Sequence, residues 1–251
     1  MNEYKYFQNL EEVEKWLIIM ENSARMHHLK YDVEQLEEAE EIIRENLYKE
    51  PQDKKEERKE GRLLNFIAAQ YFEGNGVLED KKKAVELYLE ATSLGYYQAA
   101  SNLGYCYYYG NGVKKDMRKA YHAFRTGADL GSTECVIKLA DMYLNGDYVS
   151  KDEKHAKYLY EQVYKDLKNI NAEEDRAYQQ AFSSVCLKLA KCYLFGKGTS
   201  RDLTKAEDLL NTASKFYHLR KEWNDYYCKS GLLEVFKLKQ ILKDMRKKVV
   251  N

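Results

Sequence analysis

Gly110-Asn111-Gly112-Val113-Lys114-Lys115-Asp116-Met117-Arg118-Lys119-Ala120 has a near copy 36 residues upstream, Gly74-Asn75-Gly76-Val77-Leu78-Glu79-Asp80-Lys81-Lys82-Lys83-Ala84. Two looser copies follow, Gly146 to Ala156 and Gly196 to Ala206. Each part of the stretch has a mechanical reading. Gly110 ends a helical run, because a residue without Cβ enters the left-handed conformation without steric cost. Asn111-Gly112 turns the chain, Val113 anchors the loop, and Asp116 stands where a carboxylate accepts from the free N–H groups that open the next helix. The same acid recurs as Asp80, Asp152 and Asp202. Capping explains these four carboxylates better than metal binding, since none has a second ligand beside it in the local sequence.

Both flanks of the loop carry a helical period. Ile67, Ala68 and Tyr71 match Leu103, Gly104 and Tyr107, then Leu139, Ala140 and Tyr143, then Leu189, Ala190 and Tyr193. Spacings of one and four place each trio on one face of a helix. Downstream, Ala84, Tyr88 and Ala91 match Ala120, Phe124 and Gly127, Ala156, Tyr160 and Val163, and Ala206, Leu210 and Ala213. Small residues admit a close neighbour and large ones fill the space between. The unit is helix, glycine loop, helix, glycine turn, and a period in the middle thirties built this way predicts an all-α solenoid of stacked helix pairs.

The pattern Leu103-Gly104, Tyr107, Gly110-Asn111-Gly112-Val113, Asp116, Lys119-Ala120 and Gly131 resembles the Sel1-like repeat, a relative of the tetratricopeptide repeat. The resemblance spans residues 62 to 217 in four units and implies a right-handed superhelix. Two positions depart from it. Tyr148 stands where the loop wants its second glycine, and Thr199 replaces the loop valine. A tyrosine in a left-handed site is strained.

Composition agrees with this reading. The chain has one proline, 44% hydrophobic and 33% charged residues and zero formal net charge, which favours helices and argues against nucleic acid or anionic membrane as partner. Residues 1–60 nevertheless carry a net charge of minus seven and residues 61–251 plus seven. The expected division is 1–60, a helical pair and charged joint; 61–217, four repeats; and 218–251, closing helices. Asn9 is a plausible cap for the first helix and Asp32 for the second, whose outer face is crowded with glutamates. The acidic pair is expected to dock on the repeats. Fourteen extra residues between repeats three and four are expected to lengthen two adjacent helices. Lys237, Lys239, Lys243, Arg246, Lys247 and Lys248 make the closing segment basic.

The five cysteines, Cys106, Cys135, Cys186, Cys192 and Cys228, lack a paired spacing, and no basic apolar leader opens the chain; both point to the cytosol. Catalytic motifs are absent from the sequence: no phosphate loop, no nucleophile elbow, no histidine at metal-ligand spacing. Neither a cofactor nor a metal is expected.

Recognition is better supported. The resemblance implies that the first helix of each unit lines a concave surface, which for unit two brings Gln98, Ser101, Asn102, Tyr105, Tyr108 and Tyr109 near it. Unit one contributes Asn65 and Phe72; unit three Ile137, Lys138, Asp141 and Leu144; unit four Leu187, Lys188, Lys191, Leu194 and Phe195. Aromatic side chains there would receive a peptide's side chains, Asn65 and Asn102 its backbone, and Lys188 and Lys191 a carboxylate. The function expected is a non-enzymatic module that binds a protein or peptide partner, with self-association through the terminal helices as a further possibility. The alternatives are an inhibitor or immunity protein that occludes a toxin, and a hydrolase with its site outside the repeats.

Overall fold

The computed structural model describes residues 6–24, 33–49, 53–74, 77–170, 175–221 and 226–250. Among them eleven helices follow one another without a strand: α1 (Leu10–Ala24), α2 (Val33–Lys49), α3 (Lys54–Glu73), α4 (Lys81–Ser93), α5 (Tyr97–Tyr109), α6 (Met117–Asp129), α7 (Thr133–Asn145), α8 (Glu153–Ile170), α9 (Arg176–Phe195), α10 (Leu203–Lys221) and α11 (Tyr226–Val250). Packing divides them into two units, residues 1–132 and 133–251. The repeats are the pairs α3/α4, α5/α6, α7/α8 and α9/α10. Asp32, the expected cap of α2, lies outside the described residues.

One device recurs in all four pairs. The backbone N–H groups of Asp80, Asp116, Asp152 and Asp202 donate to the carbonyls of Tyr71, Tyr107, Tyr143 and Tyr193 at 2.8–3.0 Å. The same aspartates accept, each at 2.9 Å, from the backbone N–H of Lys83, Lys119, His155 and Lys205. They are the N-caps expected from sequence, and the third helical position they cap then swings its side chain back onto the tyrosine. Lys83, Lys119 and Lys205 lie over the rings of Tyr71, Tyr107 and Tyr193 at 4.1, 5.3 and 5.3 Å. In the third repeat His155 takes the place of lysine, edge-on to Tyr143 at 4.5 Å. Cap, loop closure and cation–ring contact thus form one stitch per repeat. The hydrogen bond from Lys119 lowers the Asp116 pKa below its ordinary value, and that from Lys205 does the same for Asp202.

In the first unit, Val13, Leu17 and Met20 of α1 and Leu36, Ala39 and Ile43 of α2 join Leu64, Ile67, Ala68, Ala84, Tyr88 and Ala91 in one core. Helix α1 lies against α3 as α3 lies against α5, and α2 lies against α3 as α4 lies against α5. The acidic leading pair is therefore laid down in the manner of a repeat although it lacks the repeat's loop sequence. Charge fastens it: Arg44 pairs with Glu90 at 2.9 Å, Lys83 with Glu40 at 3.0 Å, and Lys59 with Glu14. Asn9 caps α1 through the N–H of Glu12 at 3.1 Å.

In the second unit, Ala140, Ala156, Tyr160, Val163, Val185, Cys186, Leu189, Ala190, Ala206 and Leu210 share a core with Val235, Leu238 and Leu242 of α11. The residues added between repeats three and four extend α8 to 18 and α9 to 20 residues, against 13 in each of α4 to α7. The extension is packed: Tyr178 and Phe182 stack at 5.3 Å, and both meet Phe216.

Two glycines show why the loop sequence is restrictive. A Cβ on Gly112 would overlap the carbonyl of Lys81 at the start of α4, and a Cβ on Gly198 that of Glu153 at the start of α8. Their φ angles are 72° and 67°, so the backbone is left-handed as well as crowded. Tyr148, the third-repeat counterpart, adopts φ 67°. The loop thus keeps its conformation there at a cost of about 1–3 kcal/mol.

Candidate functional site

The first helices of the pairs carry the residues singled out for recognition, and the two units hold them differently. In the first unit Asn102 on α5 donates its side-chain amide to the Asn65 oxygen on α3 at 2.9 Å. This neutral bond links two successive first helices. Tyr105 meets Phe124 edge-on at 5.5 Å and stacks parallel to Tyr109 at 6.1 Å. Tyr108 stands edge-on to Tyr109 at 5.0 Å, with Lys115 over its ring. Tyr109 remains 61% exposed, so the end of α5 presents a tyrosine cluster anchored on one side and open on the other. Phe72 is half-buried against Tyr88 with Lys81 over it, and Gln98 is half-buried at the start of α5.

Beside Asn65 lies a cleft that sequence reasoning missed, lined by Leu17, Ile18, Arg62, Leu63, Asn65, Phe66 and Tyr96. Its floor is apolar and its edge carries an amide, a guanidinium and a phenol. Two of its seven lining residues, Leu17 and Ile18, come from α1, which has no repeat motif, so an alignment of repeats points only to its α3 side.

In the second unit the corresponding face is ionic. Lys188 on α9 donates to both carboxylate oxygens of Asp141 on α7, at 2.6 and 2.8 Å. The hydroxyl of Tyr160, fully buried on α8, donates to the same carboxylate. Lys138 stands 3.9 Å from Asp141, and Lys191 pairs with Glu234 of α11 at 2.5 Å. Burial lowers the Lys188 pKa from its ordinary value, with Lys138 and Lys191 adding to the effect and Asp141 opposing it. Burial, then the Asp141 charge and hydrogen bond, raise that of Tyr160 strongly. The expectation that Lys188 and Lys191 meet a carboxylate has a specific outcome: each meets one inside the protein. Phe195 is exposed at the end of α9.

Several neighbours expected on the same surface are not there. Ser101 is buried and shares a hydrogen bond with Ser132 at 3.1 Å. Ile137, Leu187 and Leu194 are buried as well. The reason is physical: within each unit the first helices, α3 with α5 and α7 with α9, touch one another as well as their second helices, so only a narrow strip of each stays open.

Among the described residues no three His, Cys, Asp or Glu side chains are grouped to hold a metal, and no helix is long and apolar enough to cross a membrane. All five cysteines are buried thiols. Burial raises the pKa of Cys106 to about 11 and that of Cys186 to about 12.

The chain is similar in fold to the crystal structure of a Sel1 repeat protein from Oxalobacter formigenes, with 18% identity, 82% of each chain covered and a TM-score of 0.54. A second similar structure is a protective antigen of uropathogenic Escherichia coli with an SLR fold, at 21% identity and a TM-score of 0.47, which matches 95% of this chain but 57% of that one. No curated protein matches the sequence. The Sel1 repeat model matches residues 64–96, 98–132, 133–163 and 183–215. With four matches over more than half its length, each on a helix pair whose loop is closed by the aspartate stitch, the chain belongs to the Sel1 repeat family.

Proposed function

We propose that the chain is a non-enzymatic scaffold that binds a protein or peptide partner along the first helices of its repeats. The observation that carries this is the face of α3 and α5. There the Asn65–Asn102 bond holds two amides beside a tyrosine cluster whose outermost ring, Tyr109, is 61% exposed. Tyrosines fixed by their neighbours offer contact area and a hydroxyl at little rotamer cost, and amides accept and donate to an extended backbone. Gln98 and Phe72 flank that face on the first unit; on the second unit, taken by itself, Lys138, Phe195 and the internally paired Asp141, Lys188 and Lys191 are the corresponding contacts of the same reading. Buried thiols in place of a regular disulfide framework support a cytosolic location.

Affinity capture from host lysate followed by mass spectrometry tests the proposal, comparing the parent chain with Tyr109→Ala and with the double variant Asn102→Ala/Tyr105→Ala. The expected result is a partner retained by the parent and lost by roughly tenfold or more from both variants, as for central aromatic anchors. Tyr109→Ala removes an exposed ring and leaves the core alone, so unchanged capture by that variant would overturn the site.

A further inference from the structure

Helix α11 is packed differently from every other first helix. The buried residues of α9, among them Val185, Cys186, Leu187, Leu189, Cys192 and Leu194, run round the helix because other helices flank it on several sides. Those of α11 form a single stripe, Cys228, Gly231, Val235, Leu238 and Leu242, facing α10 and α9. In α3, α5, α7 and α9 a second helix covers a further side; among the described residues the helices that pack on α11 are α10 and α9, on its buried stripe.

The uncovered side is not a solvent face by composition. Leu233, Phe236 and Ile241 stand on it, the first two 55% and 61% exposed. Around them Lys229, Lys237, Lys243, Lys247 and Lys248 are exposed, with Asp244 as the one exposed acid. Of the other charged residues of α11, Glu234 pairs with Lys191 and Arg246 pairs with Glu207 at 2.8 Å. The helix as a whole has seven basic and two acidic side chains. An apolar ridge bordered by cations fits an amphipathic helix with acidic borders, and one acidic amphipathic helix of this chain, α2, meets a cation of another helix through Glu40 and Lys83. Helix α2, with six acidic and two basic side chains, buries Leu36, Ala39 and Ile43 against its neighbours.

We infer that the outer face of α11 is a docking surface for an acidic amphipathic helix of a protein partner. The occupant presents apolar residues at three- and four-residue spacing to Leu233 and Phe236 and carboxylates to the surrounding lysines. This surface is separate from the tyrosine face of α5, and each can fail without the other.

The probe is a labelled peptide of the α2 sequence, Val33–Lys49, titrated against the full chain by fluorescence anisotropy. A control peptide carries lysine in place of Glu34, Glu37, Glu41 and Glu45. The expected result is saturable binding of the acidic peptide, weakened by roughly tenfold in Leu233→Asp/Phe236→Asp and by a similar factor in Lys237→Glu/Lys243→Glu. It also weakens as salt is raised. The control peptide is expected to bind at least tenfold more weakly, because its charges repel those of α11. All four altered residues of the chain are exposed, and circular dichroism is expected to show unchanged helicity for both variants. Equal binding by parent and variants, or no binding at millimolar peptide, would sink the proposal. So would association with phosphatidylserine vesicles that the first variant loses, which assigns the face to lipid. Sedimentation showing concentration-dependent self-association lost in the same variant would assign it to a second copy.

Discussion

The first helices of the two units solve the same packing problem with different chemistry. In residues 1–132 the link between successive first helices is an amide pair, Asn65 with Asn102. In residues 133–251 it is an ion pair, Lys188 with Asp141, with the Tyr160 hydroxyl on the same carboxylate. A neutral bond is replaceable at modest cost. An ion pair that is three-quarters buried commits both partners, because removing one leaves the other desolvated. The difference teaches that the repeat fixes where successive helices meet, while the residues chosen there set how costly the meeting is to break.

The sharpest way to break the comparison is Asp141→Ala, which strands Lys188 and Tyr160 together. With side-chain exposures of 22% for Asp141 and 24% for Lys188, it is expected to cost about 3 kcal/mol, read by urea denaturation. Hydrogen exchange should localise the loss to residues 133–251. A cost below about 1 kcal/mol would place this pair with ordinary surface ion pairs.

The loops give the next largest contrast. Gly112→Ala brings a Cβ onto the carbonyl of Lys81 at φ 72° and is expected to destabilise by roughly 2 kcal/mol or more. Tyr148→Gly runs the other way. It relieves a left-handed tyrosine and is expected to stabilise by about 1 kcal/mol or somewhat less, since glycine also loosens the unfolded chain. Thermal denaturation of both variants checks the pair of signs.

Asn65→Ala should be milder than Asp141→Ala. The loss of one neutral hydrogen bond is expected to cost about 1 kcal/mol, and Asn65→Ala/Asn102→Ala should cost less than the sum of its parts in a double-mutant cycle. The smallest effect belongs to the third stitch. His155→Lys restores the cation that the other three repeats hold over their tyrosine and should stabilise by about 0.5 kcal/mol. A change of the opposite sign would mean that the edge-on ring pair with Tyr143 is the better contact.

Much of this fold could be read from residues close together in the chain. The caps Asp80, Asp116, Asp152 and Asp202, and the buried trio Ile67, Ala68 and Tyr71, depend on contacts within one helix pair, so spacing alone exposes them. The partners of Asp141 could not be read that way. Lys188 is 47 residues distant and Tyr160 is 19, and nothing in one sequence says which lysine on a neighbouring helix reaches which carboxylate. Ser101, Ile137, Leu187 and Leu194 were expected on the open strip because the resemblance implies a face, not its width. Leu17 and Ile18 escaped notice for a related reason: α1 packs like a repeat helix without carrying the repeat's signature.

The aspartate stitch also bears on how the chain folds. Asp80 to Tyr71, Asp116 to Tyr107, Asp152 to Tyr143 and Asp202 to Tyr193 each close a loop of nine residues. Closing so short a loop costs little chain entropy and takes well under a microsecond. Each hairpin of helices can therefore nucleate on its own and wait for its neighbours, which makes several starting points equivalent and lets structure spread outward from whichever forms first.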